Sequence, residues 1–205
     1  MRSGVVASLG RPGGNVTGVT LISSELAGKR LELLRETVPG LSHVGILWNA
    51  ANPDRAFDFA QMQVAARLLK VEVQSLEIRD ANALEGAFQA AGRGRVGGLI
   101  PLHDALIMGQ RTRIADLAAK SRLPALYESS EYVKAGGLMG YGPNYRATYR
   151  RVAYYVDRIL KGTKPADLPV EQPMRFELVI NMKTAKALGL TLPPSIMVRA
   201  DQVIG

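Results

Sequence analysis

The chain has 205 residues, 47% apolar and 21% charged, which suffices for one domain with a substantial core, or one domain plus part of a second, and excludes disorder. It has no cysteine, so a disulfide scaffold, a thiolate zinc site and a cysteine nucleophile are excluded. The net charge is +8, but the basic residues are scattered and no helix-turn-helix, zinc-finger or RNP-like pattern occurs, so a generally basic surface is expected rather than a nucleic-acid partner. No apolar run approaches the roughly 20 residues that span a bilayer. Met1-Arg2-Ser3-Gly4 lacks the basic-then-apolar layout of a signal peptide, so no signal is expected on this chain.

Helix and strand patterns alternate. Ala27, Leu31, Leu34 and Val38 recur at helical spacing, and Pro39-Gly40 stops the helix. His43 to Trp48 reads as a buried strand. Asn52-Pro53-Asp54 opens a helix, with Asn52 as cap and Pro53 in the first turn, carrying Phe57, Ala60, Val64 and Leu68. Val71 to Ile78 is strand-like. Leu84, Ala87, Phe88 and Ala91 mark a helix, Val96 to Leu102 a strand, Ile107, Ile114, Leu117 and Ala118 one helical stripe, and Pro124 to Tyr127 a short strand. Single helices between strands predict βαβ crossovers and a parallel sheet of about four strands within Leu26–Glu128. Gly137 to Tyr141 reads as another strand. A long helix follows, with Tyr145, Tyr149, Val152, Val156 and Ile159 on one face, ended by Gly162-Thr163-Lys164-Pro165. Phe176 to Ile180 is a further strand, and the tail with Pro193-Pro194 is expected to wrap the surface.

Gly92-Arg93-Gly94-Arg95-Val96-Gly97 fits G-x-G-x-x-G, but it follows a helix and leads into a strand. A dinucleotide fingerprint needs the reverse order, so a helix stop and turn is expected. Asn15-Val16-Thr17 matches a glycosylation sequon and carries no weight. No Walker A, G-x-S-x-G or H-E-x-x-H motif occurs, and scattered carboxylates make no metal cluster. His43 sits at the wrong end of its strand for a parallel-sheet site. His103 sits at the end of a strand beside Asp104, a pair that a hydrolase can use, but no activated serine accompanies it.

In open α/β sheets ligands bind outside the carboxyl ends of the strands. Those ends carry Trp48, Asn49 and Asn52, then Leu102, His103 and Asp104, then Tyr127 and Glu128. Aromatic rings cover flat ligand parts, Asp104 and Glu128 can accept from an ammonium or hydroxyl, and Asn49 or Asn52 can pair with a carboxylate. Each residue also has a plain structural reading, the rings packing a loop and Asn52 capping a helix. The set favours a binding cleft without chemistry.

Four strings carry a resemblance: Arg11-Pro12-Gly13-Gly14-Asn15-Val16-Thr17-Gly18-Val19-Thr20; Lys29-Arg30-Leu31-Glu32-Leu33-Leu34 with Val38-Pro39-Gly40; Ala135-Gly136-Gly137-Leu138-Met139-Gly140-Tyr141-Gly142; and Leu168-Pro169-Val170-Glu171-Gln172-Pro173 with Phe176 to Asn181 and Lys183 to Leu190. In this order, over nearly the whole chain, they resemble the ABC transporter substrate-binding proteins that include tryptophan-type (TrpX-like) binders. The resemblance implies an α/β, type I periplasmic-binding-protein-like fold with a parallel sheet flanked by helices, as one complete lobe plus part of a second. Residues 21–130 and 170–205 would form lobe two; residues 1–20 and 131–169 would form the remaining part of lobe one and the hinge crossings. Members carry more chain and an export signal before the first string, so this chain resembles a truncated member.

The implied function is reversible capture of a small, amino-acid-like and possibly aromatic solute between two lobes, for delivery to an ABC permease of the inner membrane. It implies no enzyme activity and no cofactor. The full-length family works in the periplasm or anchored outside the membrane. Self-association, to cover the incomplete lobe, or disorder in its pieces is expected. In tryptophan-type binders an acid–amide pair after the third strand of lobe two holds the ligand's amino group; here Asp104 keeps the acid but Ala105 follows. Trp48 and Tyr141 fall where the family has ligand-proximal residues. The open alternatives are an effector-sensing domain of a receptor or regulator, a hydrolase using His103 and Asp104, and a remnant without transport activity.

Overall fold

A computed structural model of the chain describes residues 5–21 and 26–205. Met1 to Gly4, on which the reading of the N-terminus rested, lie outside the described residues. The chain divides into two compact units, Met1–Ile22 with Pro143–Phe176, and Ser23–Gly142 with Glu177–Gly205.

The larger unit begins with α1 (Ala27–Thr37), whose Leu31, Leu33 and Leu34 are buried. β1 (His43–Asn49) follows, then α2 (Pro53–Leu68), β2 (Glu72–Ile78), α3 (Leu84–Arg93) and β3 (Gly98–Pro101). β1 pairs in parallel with β2 on one side and β3 on the other. After β3 come α4 (Ala105–Gly109), α5 (Arg111–Lys120), β4 (Leu126–Tyr127), α6 (Ser130–Lys134) and β5 (Met139–Pro143). A second sheet runs β4-β5-β6-β7, with β6 at Phe176–Asn181 and β7 at Gln202–Ile204. One parallel bridge, Leu99 with Ala125, links the two sheets. Successive residues of β4 point to opposite faces, so Leu126 joins one apolar cluster and Tyr127 the other.

Three local readings are corrected, and one helix is added. The buried side of α2 carries Phe59, Met62 and Ala66, not the Phe57–Leu68 stripe: Leu68 is 81% exposed. Both faces of that helix are apolar, and the stack of Phe59 on Trp48, 5.2 Å between ring centroids, sets which one turns inward. The stripe from Ile107 to Ala118 is split between α4 and α5, the break falling at Gln110. α6 was not anticipated. The tail is no surface wrap: it forms α8 (Met182–Ala187), α9 (Pro194–Arg199) and β7, burying Ala185, Leu192 and Ile196. Pro194 is the first residue of α9, where its missing N–H costs nothing. The glycine-rich stretch after α3 is a helix stop and turn, with Gly94 as C-cap and Arg95 at φ 53°.

In the smaller unit, α7 (Tyr145–Leu160) opens on Asn144, whose Oδ1 accepts from Ala147 N at 2.8 Å. The two most distant strings meet here. Val19 bridges Glu171 in parallel, Thr17 Oγ1 donates to Leu168 O at 2.6 Å, and Arg151 grips Glu171 through two nitrogens. Tyr155 is the one buried residue of α7, and its hydroxyl donates to Pro169 O. Tyr149, Val152, Val156 and Ile159 recur at three- and four-residue steps and remain exposed.

Candidate functional site

The carboxyl ends of β1, β3, β4 and β5 share one rim of the larger unit, because these strands pair in parallel. The chain steps from β1 to β2 on one side and returns to β3 on the other. The β1/β3 boundary is therefore the switch point of the sheet, the place where ligands bind in open α/β sheets.

Asp104 occupies that point. It caps α4, its Oδ1 accepting from Leu106 N at 2.9 Å. The same oxygen accepts from Asn49 Nδ2 at 3.0 Å, and Oδ2 accepts from Asn52 Nδ2 at 2.9 Å. Each amide's oxygen is also engaged, Asn49 Oδ1 with Ala51 N and Asn52 Oδ1 with Asp54 N. The sequence reading of Asn52 as a cap thus holds, and the same side chain reaches the site. Burial pushes the Asp104 pKa up, but the two amides, the Leu106 N–H and the Arg55 charge outweigh it and hold the carboxyl below its ordinary value.

His103, next in the chain, turns to β4. Its Nδ1 lies 2.6 Å from Oε1 of Glu128, a carboxylate 3% exposed. The bond to Glu128 raises the imidazole pKa; burial opposes the rise, as do the Arg55 and Arg30 charges.

The aromatic members are placed differently. Trp48 donates from Nε1 to Ser75 Oγ at 2.8 Å and packs in the core under Phe59. Tyr127 is 1% exposed, stacked on Tyr132 at 4.7 Å within the second apolar cluster, and burial pushes its phenol pKa up. Neither ring is offered to the rim. Tyr141 is half-buried on β5, and its carbonyl accepts from Arg30 Nε at 2.9 Å. The rim therefore gathers Asn49, Asn52, His103, Asp104 and Glu128, with Tyr141 at its edge.

Two cations escaped the sequence reading. Arg30 is 2% exposed on the apolar stripe of α1, four residues before Leu34. A lone arginine in such a stripe is the available signal, since a cation is buried only against partners. Arg55 lies in the first turn of α2, where the helix dipole disfavours a cation. Its Nη1 donates to Asp58 Oδ2 at 2.5 Å and to the His103 carbonyl at 2.8 Å, so it braces the β3–α4 turn. Ser129 Oγ is buried and makes no hydrogen bond to His103. No group of three or more metal-ligating side chains occurs among the described residues. A concavity of about 360 Å³ lies within the smaller unit, lined by Asn144, Thr148, Arg151, Glu171, Met174 and Arg175.

Residues 1–204 match the family model described as ABC transporter substrate binding protein. The chain belongs to that family. It is 25% identical over 190 residues to a Tyrosine-binding protein of Clostridioides difficile (strain R20291), covering 93% of this chain and 54% of that one. It thus spans about half the length of this curated relative. Among solved structures, the ABC domain of Streptococcus pneumonia in complex with L-Trp superposes with a TM-score of 0.86 at 25% identity, over 98% of this chain and 68% of that one. A conserved domain protein from Vibrio cholerae gives 0.88 at 24% identity, over 97% and 66%. The fold is the type I periplasmic-binding-protein fold, with parallel sheets flanked by helices. The family binds substrates; among the described residues no helix is long and apolar enough to cross a membrane.

Proposed function

We propose that this chain is the solute-binding component of an ABC import system, capturing a small amino-acid-like ligand reversibly and without chemistry. The single observation that carries the reading is the convergence of Asn49, Asn52, His103, Asp104 and Glu128 at the switch point of the sheet, on loops braced against one another. Its ligand class is supported by the relatives, one a tyrosine-binding protein and one solved with L-Trp. Capture takes place between two lobes of the full-length family, and a ligand favours the closed form because only there do both walls touch it. The partner is an inner-membrane permease, and the place of action is outside the cytoplasmic membrane. The exposed stripe Tyr149, Val152, Val156 and Ile159 supports self-association of the chain.

A thermal-shift screen of L-tryptophan, L-tyrosine and a library of aromatic acids tests the reading. A binder gains stability by mass action, about 2.7 kcal/mol at a hundredfold excess over Kd. A melting temperature that no compound raises overturns it.

A further inference from the structure

We infer that His103 is the ligand-facing donor of this rim and that it takes a carboxylate, so that the wall reads the acidic end of the solute and not its ammonium. The inference rests on the binding reading above and deepens it.

The hydrogen-bond inventory carries it. An acid at the switch point is the obvious acceptor for an ammonium group, but Asp104 already accepts three donors, from Asn49, Asn52 and Leu106 N. The two amides that could greet a carboxylate each give one N–H to Asp104 and their oxygens to backbone N–H groups, and Asp104 itself is only 6% exposed. Glu128 is sealed beneath His103. His103 is different. Its side chain is 29% exposed, its Nδ1 is committed to Glu128, and Nε2 is the ring nitrogen that remains. A carboxylate at Nδ1 fixes the proton there, so that a protonated ring presents Nε2–H as a charged donor.

The charged groups around the ring come from four elements. Glu128 follows β4, Arg55 stands on α2 with Asp58 paired to it, Arg30 stands on α1, and Asp104 is its chain neighbour, buried and already accepting from both amides. Both arginines repel the imidazole proton, and the Glu128 bond prevails over them and over burial. The ring holds its charge to higher pH than a free histidine, and the arginines add positive potential for an incoming anion.

The test uses the 205-residue chain in calorimetric titrations with two trios: L-tyrosine, 3-(4-hydroxyphenyl)propionate and tyramine; L-tryptophan, indole-3-propionate and tryptamine. The carboxylates should bind with or without the amino group, and the amines should not. Affinity should fall as pH rises through the His103 titration, and Glu128→Gln should move that fall to lower pH. His103→Gln should weaken binding roughly ten- to hundredfold, the worth of one charged hydrogen bond, and flatten the profile. Amines that bind as well as the acids, or a His103→Gln chain with unchanged affinity and pH profile, overturn the inference alone. Six silent compounds overturn the binding reading and this inference with it.

Discussion

Asn52 Nδ2 donates to Asp104 Oδ2 at 2.9 Å, joining the start of α2 to the start of α4 across the switch point. One contact thereby couples two helix caps, because Asn52 also caps α2 and Asp104 also caps α4. Asp104→Asn keeps the volume but turns an amide N–H₂ toward two other amides. A buried donor left without its acceptor costs about 1–3 kcal/mol. Urea denaturation of this variant should show a loss of that size, and an unchanged midpoint would contradict the clamp.

Opposite pH limbs follow from the same rim. Asp104 has its pKa lowered, so its contribution is present above the unfolded value of 3.8 and is lost as pH falls through the lower folded value. Glu36, held by Ser195 and Arg199, and Glu171, held by Arg151, act in the same direction. His103 has its pKa raised, so its contribution is complete below 6.5 and is lost as pH rises through the higher folded value. Melting temperature should fall on both sides of a plateau between those limits. His103→Gln should remove the part of the alkaline fall that this residue contributes.

Gly142 lies where β5 passes the end of β4. A Cβ there would stand 1.8 Å from the Glu128 carbonyl oxygen, a backbone atom that cannot swing aside. Gly142→Ala should therefore cost about 3 kcal/mol or more and disturb the His103–Glu128 contact. Denaturant midpoints together with the His103 imidazole NMR signal measure both effects; a silent substitution would show that β5 can shift.

On α7, Tyr149 is 69% and Val156 50% exposed. Light scattering should report a mass above the 22.1 kDa of one chain. Val152→Gln with Val156→Gln should return it to that mass without lowering the melting temperature, since neither side chain is buried. A wild-type chain that runs as a monomer contradicts self-association.

Much of this was legible in the sequence. Period and punctuation located β1, α2, β2, α3 and α7, and the ends of β1, β3 and β4 gave the polar rim. The short elements were hidden because α6 and α8 offer too few residues for a period to emerge, and because Pro193-Pro194 marks a helix start as readily as a loop. The burial of the aromatic residues was hidden for a deeper reason. Trp48 and Tyr127 stand at strand ends, but a ring can fold back onto either face of the sheet, and only the packing of Phe59 and Tyr132 decides which. Pairing was also invisible: nothing in the order of residues says that Asp104 is already occupied by Asn49 and Asn52.

The bonds that Asp104 makes have a kinetic consequence for the proposed capture. Loops locked together before any solute arrives need not be assembled by it, so this wall would meet a solute already formed and spend none of the binding free energy on its own ordering.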